Sequence, residues 1–257
     1  LVLAAQVTQW GGLPTRWPIV KDEYEHIKTA ILEAARAHDL VLVNAGSSAG
    51  SRDFTARVIE DVGTLLVHGV AVRPGHPVIL GLVNRPTDQS ADRSASNEPL
   101  TQATDNQPRA VPVIGVPGYP VSCALTGEIF VEPTLARWVG RLPHRKPVVQ
   151  AALTRKVYSP TGDDEWVRVT VGQVGGRMVA APLSRGAGVI TSLVRADGIV
   201  RIPRFSEGVN AGEQVTVELY TDPLALAHTI VHIGSHDLAL DLLAQHLAEA
   251  YPGMRLT

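Results

Sequence analysis

The chain has 257 residues, of which 45% are hydrophobic and 19% are charged, so it is long enough to fold around one or two buried cores. Its 23 basic and 25 acidic side chains nearly cancel, which excludes the basic excess that non-specific nucleic-acid binding requires. One cysteine, Cys123, excludes an internal disulfide framework, and no apolar run approaches the roughly 18 residues of a membrane span. We therefore expect a cytoplasmic protein that binds neither nucleic acid nor membranes.

The first half of the chain alternates predicted helices and strands, which is typical of a layered α/β domain. Gly11-Gly12 predicts the end of the first helix, and Asp22 is expected to cap the second. The predicted helices are 1–10, the segment after Asp22, 54–62 and 121–139. The predicted strands are 14–20, 39–44, 65–72, 77–83 and 111–116.

The composition changes twice along the chain. Residues 85–109 are polar without an apolar period and predict a solvated insertion. Residues 148–220 contain short alternating strands, among them 166–171 and 214–219, separated by turns at Gly162-Asp163, Gly175-Gly176 and Asp197-Gly198, which predicts a small β-barrel or sandwich. Strand–helix character returns from residue 222, with a helix predicted over 238–250. We therefore predict an α/β domain over 1–147, a β domain over 148–221 and the truncated beginning of a third domain over 222–257.

Residues 46–51 lie between a predicted buried strand and a predicted helix. The run Gly46-Ser47-Ser48-Ala49-Gly50 fits the G-x-S-x-G nucleophile elbow of serine hydrolases, with Ser48 as the nucleophile. Small residues also let backbone N–H groups cradle a phosphate, or they form a plain turn. Asp53, at the helix start, is suited either to capping that helix or to holding Mg²⁺ beside a phosphate.

Two further turns carry candidate chemistry. Arg73 and His76 flank a Pro-Gly turn that is suited to aiming both side chains at one anion. The run Pro117-Gly118-Tyr119-Pro120 again joins a strand to a helix. His228, His232 and His236 are spaced by four, but the β-branched run between them favours a strand over a metal-binding helix.

Taken in order and spacing, three of these segments resemble the signatures of the molybdopterin molybdotransferase family, the MoeA and gephyrin type. Segment 46–54 is similar to G-G-V-S-x-G-x-x-D-[YF], segment 68–77 to K-P-G-K-P, and segment 115–122 to G-L-P-G-N-P-V-S. The resemblance implies a three-layer molybdopterin-binding α/β domain followed by a small β-barrel domain, most similar over 186–198. The tail resembles the start of a further α/β domain, the periplasmic-binding-protein-like domain of some members.

The resemblance also implies a reaction, the insertion of molybdate or tungstate into adenylylated molybdopterin with Mg²⁺ and release of AMP. It implies that Asp53 and Asp22 are catalytic carboxylates and that Asp53 also holds the metal. The residues that it assigns to the oxyanion are Arg73, His76, Arg168 and Ser184. The residues that it assigns to molybdopterin are Gly46, Ser47, Ser48, Gly50, Ser51, Pro117, Gly118, Tyr119, Pro120 and Ser122.

The sequence departs from the family patterns at several of these positions. The family's Gly-Gly-Val-Ser is replaced by Gly46-Ser47-Ser48-Ala49, its asparagine by Tyr119 and its second lysine by His76. A molybdopterin- or oxyanion-binding protein without transferase activity is therefore an alternative, and a serine hydrolase is a second one. The resemblance implies a homodimer, and the chain's mid-pattern ends predict an internal piece of a longer polypeptide.

Overall fold

The computed structural model describes residues 1–44, 54–85, 110–232, 234–235 and 237–257. Two sheets dominate these residues, a four-stranded sheet in the first half of the chain and a six-stranded sheet formed mainly by residues 148–219. The expectation of an α/β part followed by a small β-barrel is confirmed.

The four-stranded sheet is mixed. The strands of this half are β1 (Val41–Asn44), β2 (Gly63–His68), β3 (Val72–Arg73), β4 (Ile79–Asn84) and β5 (Ala110–Val116). All but β3 belong to the sheet, in the order β1-β5-β4-β2. β1 and β5 are parallel, whereas β4 is antiparallel to both β5 and β2. Apolar periodicity alone identifies the strands but carries no information about their direction.

Helices cover both faces of this sheet. They are α1 (Val2–Gln9), α2 (Tyr24–Ala37), α3 (Phe54–Val62), α4 (Pro120–Thr126) and α5 (Glu132–Trp138), with a π-helical turn at Gly127–Val131. Ile31 of α2 and Ile59 of α3 share one buried cluster with Val113. Val131 and Leu135 pack with Ile114 on the opposite face. Because Val113 and Ile114 are successive residues of β5, their side chains alternate between the faces and produce three layers.

Three local predictions in this half differ from the structure. Residues 14–20 form no strand, because Pro14 and Pro18 lack the N–H groups that pairing needs, and Ile19 is exposed. Asp22 is not the N-cap of α2, which begins at Tyr24 with Glu23 as its N-cap. The predicted strand 65–72 is also interrupted, because Gly69 adopts φ +89° and separates β2 from β3.

The six-stranded sheet contains a closed five-stranded barrel. The remaining strands of this region are β6 (Val148–Leu153), β7 (Val157–Tyr158), β8 (Asp164–Val174), β9 (Arg177–Pro182), β10 (Gly198–Ile202), β11 (Gly208–Val209) and β12 (Gln214–Leu219), with a short helix α6 (Thr191–Val194). The order β10-β12-β6-β9-β8 closes through pairing of β8 with β10. Its interior is apolar, with Val169, Val200 and Val217 fully buried. A turn is predicted at Asp197-Gly198; in the structure β10 begins at Gly198, and Asp197 directly before it is buried.

Strand β3 joins the two sheets. Val72 pairs with Asp164 and Arg73 with Glu165, in parallel orientation, and the Asp164 N–H donates to the Ala71 carbonyl at 2.9 Å. The turn that carries Arg73 is therefore held in register with the first residues of β8.

The tail packs against the barrel. It contains α7 (Pro223–Leu226), β13 (Thr229–Ile230), α8 (Leu238–Ala250) and β14 (Arg255–Leu256), and β13 pairs with β14 in parallel. The helix predicted after residue 237 is confirmed. In the ranges that the structure describes, no helix combines the length and apolar character needed to cross a bilayer.

Candidate functional site

The candidate motifs emerge at one edge of the four-stranded sheet. Asn44, the last residue of β1, pairs with Val116, the last residue of β5. Ile79 pairs with Gly115 on one side and with His68 on the other. The end of β1, the turn between β2 and β4, and the start of α4 therefore lie side by side at this edge. Open α/β sheets bind their ligands at the carboxyl ends of strands.

The turn between β2 and β4 presents the two candidate cations to solvent. Backbone hydrogen bonds from Val70 N–H to the His76 carbonyl and from Gly69 N–H to the Val78 carbonyl, both 2.8 Å, close the turn. Gly75 has φ +128°, a conformation that a side chain would strain. The Arg73 side chain is 54% exposed and that of His76 is 65% exposed.

One carboxylate of the barrel faces both of these cations. Asp163 lies directly before β8, and its Oδ2 is 3.2 Å from an Nη atom of Arg73, which donates to it. Its other oxygen, Oδ1, is 3.3 Å from Nδ1 of His76. The Asp163 side chain is only 15% exposed. The two residues predicted to share an oxyanion thus share the two oxygens of a carboxylate in this structure.

A cavity of about 630 Å³ lies between this turn and the barrel. Its walls contain three arginines, two glutamates and an aromatic and polar remainder. The lining residues are Arg73, Pro74, Tyr158, Ser159, Pro160, Glu165, Trp166, Arg168, Arg185 and Glu207. Two of the four predicted oxyanion residues, Arg73 and Arg168, therefore meet in one cavity, although 95 positions separate them in the numbering.

Arg168 is almost completely buried in the wall of this cavity. Its Nε donates to the Ser192 hydroxyl at 2.9 Å and one Nη donates to the Ser184 carbonyl at 2.8 Å. Burial lowers the pKa of the Arg168 guanidinium, because desolvation penalises the charged form. Ser184 contacts Arg168 through its main chain, so the structure gives its hydroxyl no role in orienting that arginine.

Several buried polar atoms of the cavity residues have no hydrogen-bond partner within the described residues. They are Ser159 Oγ, Glu165 Oε2 and Trp166 Nε1. The other oxygen of Glu165 accepts from Arg185 at 3.0 Å. A buried unpartnered polar group costs free energy, so these three atoms are a local cost of the fold around the cavity.

The start of α4 lies beside the same part of the barrel. Pro120 occupies the first turn of α4, Ser122 is buried and the Tyr119 ring is exposed. The Val121 N–H donates to the Ala187 carbonyl at 3.1 Å. Residues 184–187 thus contact Arg168 at one end and α4 at the other. This brings the predicted molybdopterin-binding segment from Pro117 to Ser122 next to the cavity region.

Of the remaining predicted residues, one is described away from the cavity and several lie outside the described ranges. Asp22 is exposed before α2 and does not line the cavity. The predicted residues that lie outside the described ranges are Gly46, Ser47, Ser48, Gly50, Ser51 and Asp53. His236 also lies outside them, and the described side chains contain no cluster of three metal-ligating residues.

Sequence reasoning missed Asp163, Glu165 and Arg185. It interpreted Gly162-Asp163 only as a turn and began the following strand at Trp166. The available signal was a run of three carboxylates directly before an alternating strand, but their partners lie as far as 90 residues away in the sequence.

Comparisons with known proteins agree with both parts of the structure. Residues 1–137 match the family model described as "Probable molybdopterin binding domain". Residues 150–220 match the model of the MoeA C-terminal region, domain IV.

Individual relatives give the same result. A molybdopterin biosynthesis protein of Methanocaldococcus jannaschii is 32% identical over 79% of this chain and 42% of its own length. A molybdopterin molybdenumtransferase of Bacillus subtilis is 26% identical over 84% of this chain and 45% of its own. A crystal structure of a MoeA protein from Pyrococcus horikoshii aligns with a TM-score of 0.63 at 30% identity, over 86% of this chain and 47% of that one. The chain thus spans less than half the length of these relatives.

Proposed function

The chain belongs to the MoeA-type molybdopterin molybdotransferase family, and we propose that it holds molybdate or tungstate in the cavity between Arg73 and Arg168. The observation that carries this proposal is that residues from both family regions line one cavity. Arg73 comes from the molybdopterin-binding region and Arg168 from the domain IV region. In the proposed reaction the oxyanion enters adenylylated molybdopterin and AMP is released.

The chemistry of the cavity supports a tetrahedral dianion. Arg73 and Arg168 supply guanidinium donors, whose hydrogen bonds to an ionised acceptor are stronger than those between neutral groups. Burial of Arg168 excludes water on that side, which strengthens its attraction for an anion. Ser192 and the Ser184 carbonyl hold the Arg168 guanidinium in place before the ligand arrives, whereas Arg73 is paired with Asp163.

The molybdopterin substrate is proposed to lie along the sheet edge next to this cavity. The turn from Pro117 to Ser122 leaves that edge after β5, and segment 46–51 follows β1, the parallel neighbour of β5, in the sequence. Asp53 and Asp22 are proposed as the catalytic carboxylates, and Mg²⁺ held by Asp53 would neutralise phosphate charge on the substrate. A homodimer in the cytoplasm completes the proposal, and light scattering on the full-length protein tests the dimer.

Calorimetric titration with sodium molybdate tests the oxyanion site. We expect Arg73→Gln and Arg168→Gln each to weaken binding roughly tenfold to a hundredfold, since each removes a charged hydrogen-bond donor. Arg177→Gln is the matched control, because Arg177 is exposed at the β8–β9 turn, away from the cavity lining. Equal affinity in all four proteins would contradict the proposed site.

Transfer itself needs a second measurement. The full-length protein is incubated with adenylylated molybdopterin, Mg²⁺ and molybdate, and AMP is quantified. AMP release that depends on Arg73 supports the transferase, whereas oxyanion binding without AMP release supports the alternative of a binding or sensing protein. The substitutions of family residues by Tyr119 and His76 are the observation that favours a binding or sensing protein.

The serine hydrolase interpretation has no support in the relatives described above, which are molybdopterin proteins. Absence of Ser48 labelling by an active-serine probe would remove it.

A further inference from the structure

Resting on the proposed oxyanion site, we infer that Asp163 is an internal competitor for that site, an anion of the chain itself that molybdate must displace from Arg73 and His76. The two oxygens of its carboxylate contact the two cations at 3.2 and 3.3 Å. Two oxygens of a tetrahedral oxyanion would make the same pair of contacts, so carboxylate and ligand cannot make them together.

The backbone on both sides of Asp163 is fixed. The Gly162 N–H donates to the Arg204 carbonyl at 2.7 Å, and the Asp164 N–H donates to the Ala71 carbonyl at 2.9 Å. Pairing of β3 with β8 adds to this, since it places Arg73 opposite Glu165. Asp163 is therefore delivered to the two cations by the fold, and its release requires only rotation of its side chain, a fast motion.

The neighbouring carboxylate serves a different purpose. Asp164 accepts hydrogen bonds from the Arg201 side chain at 2.7 Å and from the Arg204 N–H at 3.0 Å, both within the barrel. Asp164 thus anchors the strand end. The partners that the structure gives the Asp163 side chain, Arg73 and His76, are both more than half exposed, so their pairing with it is weak enough to exchange.

The charge of the cavity gives the competition its consequence. Three arginines and two glutamates line the cavity, and Asp163, which is paired with the lining residue Arg73, offsets the remaining positive charge. A dianion therefore meets little net attraction until the Asp163 carboxylate leaves Arg73 and His76. This raises the concentration of molybdate needed to fill the site and disfavours weakly held anions.

Calorimetric titration with molybdate tests the inference on wild type and Asp163→Asn. Because an exposed ion pair shifts an equilibrium by up to about fivefold, we expect removal of two pairs to tighten molybdate binding about three- to twentyfold. Asp39→Asn is the matched control, since Asp39 is an exposed carboxylate paired with Arg85 before β1. Asp163→Ser replaces the asparagine variant if the latter does not fold.

Repeating the comparison in a second variant distinguishes competition between Asp163 and molybdate from a general effect of the lost negative charge. In Arg73→Gln protein, the gain caused by Asp163→Asn is expected to shrink, because only the His76 contact remains to be freed. An undiminished gain there, or unchanged or weaker binding by Asp163→Asn alone, overturns the inference while the oxyanion site stands. Absence of molybdate binding in every protein, wild type included, overturns the oxyanion site and the inference with it.

Discussion

Adjacent carboxylates at the start of β8 have different chemistry because their partners differ. Burial alone would raise the pKa of Asp164, but the hydrogen bonds from Arg201 and the Arg204 N–H, with the charges of both arginines, lower it below its usual value. The folded state therefore favours the ionised form of Asp164. Its contribution to stability is present above the unfolded-state pKa of about 3.9 and is lost as the pH falls through the lower folded-state value.

We predict that Asp164→Asn lowers the free energy of unfolding at pH 7 by about 1 to 2 kcal/mol, since it removes a charged hydrogen bond. The difference in unfolding free energy between variant and wild type should narrow as the pH falls below about 4. It closes as the pH passes through the lower folded-state pKa of Asp164, where the wild-type carboxylate also becomes neutral. Urea unfolding followed across that pH range measures it, with Asp39→Asn as the control. A difference that stays constant with pH would contradict an electrostatic origin.

At the residue scale, the resemblance named Arg73 and Arg168, which the structure brings to one cavity, and His76, which contacts Asp163; their roles at the site stay predictions. Sequence and resemblance did not locate Asp163 or the Arg185–Glu165 pair. Those contacts join turns that are distant in the chain, and a single sequence carries no record of which turns meet.

At the element scale, strands and helices followed from periodicity, but their pairing did not. The helices 54–62 and 238–250 and the strand 214–219 coincide with their predicted ranges. Local periodicity did not reveal β3, whose two residues are too few for an alternating pattern. It is defined by the partner strand β8 rather than by its own sequence.

The packing of the tail on the barrel requires a glycine at one position of β8. A Cβ atom at Gly172 would overlap a methyl group of Val231, well inside van der Waals contact. We predict that Gly172→Ala destabilises the protein by about 1 to 3 kcal/mol through overpacking. Adding Val231→Ala should recover part of that loss, and Val231→Ala alone serves as the control. Denaturant midpoints and limited proteolysis of residues 222–257 measure both effects, and strictly additive changes would contradict direct packing.

At the scale of the whole molecule, an ion pair joins the tail to the barrel, and its carboxylate is buried. Asp197 is only 1% exposed and accepts from the Val171 N–H at 2.7 Å and from Arg255 Nη1. Arg255 also donates from Nε to the Thr229 hydroxyl at 2.8 Å. The predicted domain boundaries at 147 and 221 remain predictions, but the described part of the tail is joined to the barrel by these contacts.

We predict that Arg255→Met destabilises the protein by about 3 kcal/mol, because it leaves the Asp197 carboxylate buried without its cation. The double variant Asp197→Asn with Arg255→Met should be more stable than Arg255→Met alone, since it removes the uncompensated charge. Urea unfolding of the two single variants and the double variant tests this. If the double variant equals the sum of the singles, the two residues are not coupled.

The length of strand β8 also determines how far apart two of the cavity arginines lie along the backbone. Its first residues set the position of Arg73 through β3, and Arg168 follows three residues after Glu165, a rise of about 10 Å. The backbone separation of Arg73 and Arg168 therefore depends on the number of residues in this part of β8. Deleting or inserting a single residue between 165 and 168 would change this separation and invert which side chains of β8 face the barrel interior. An extra residue at the open Gly175-Gly176 turn would change neither. Length variation among natural forms of this protein should accordingly concentrate at the far end of β8.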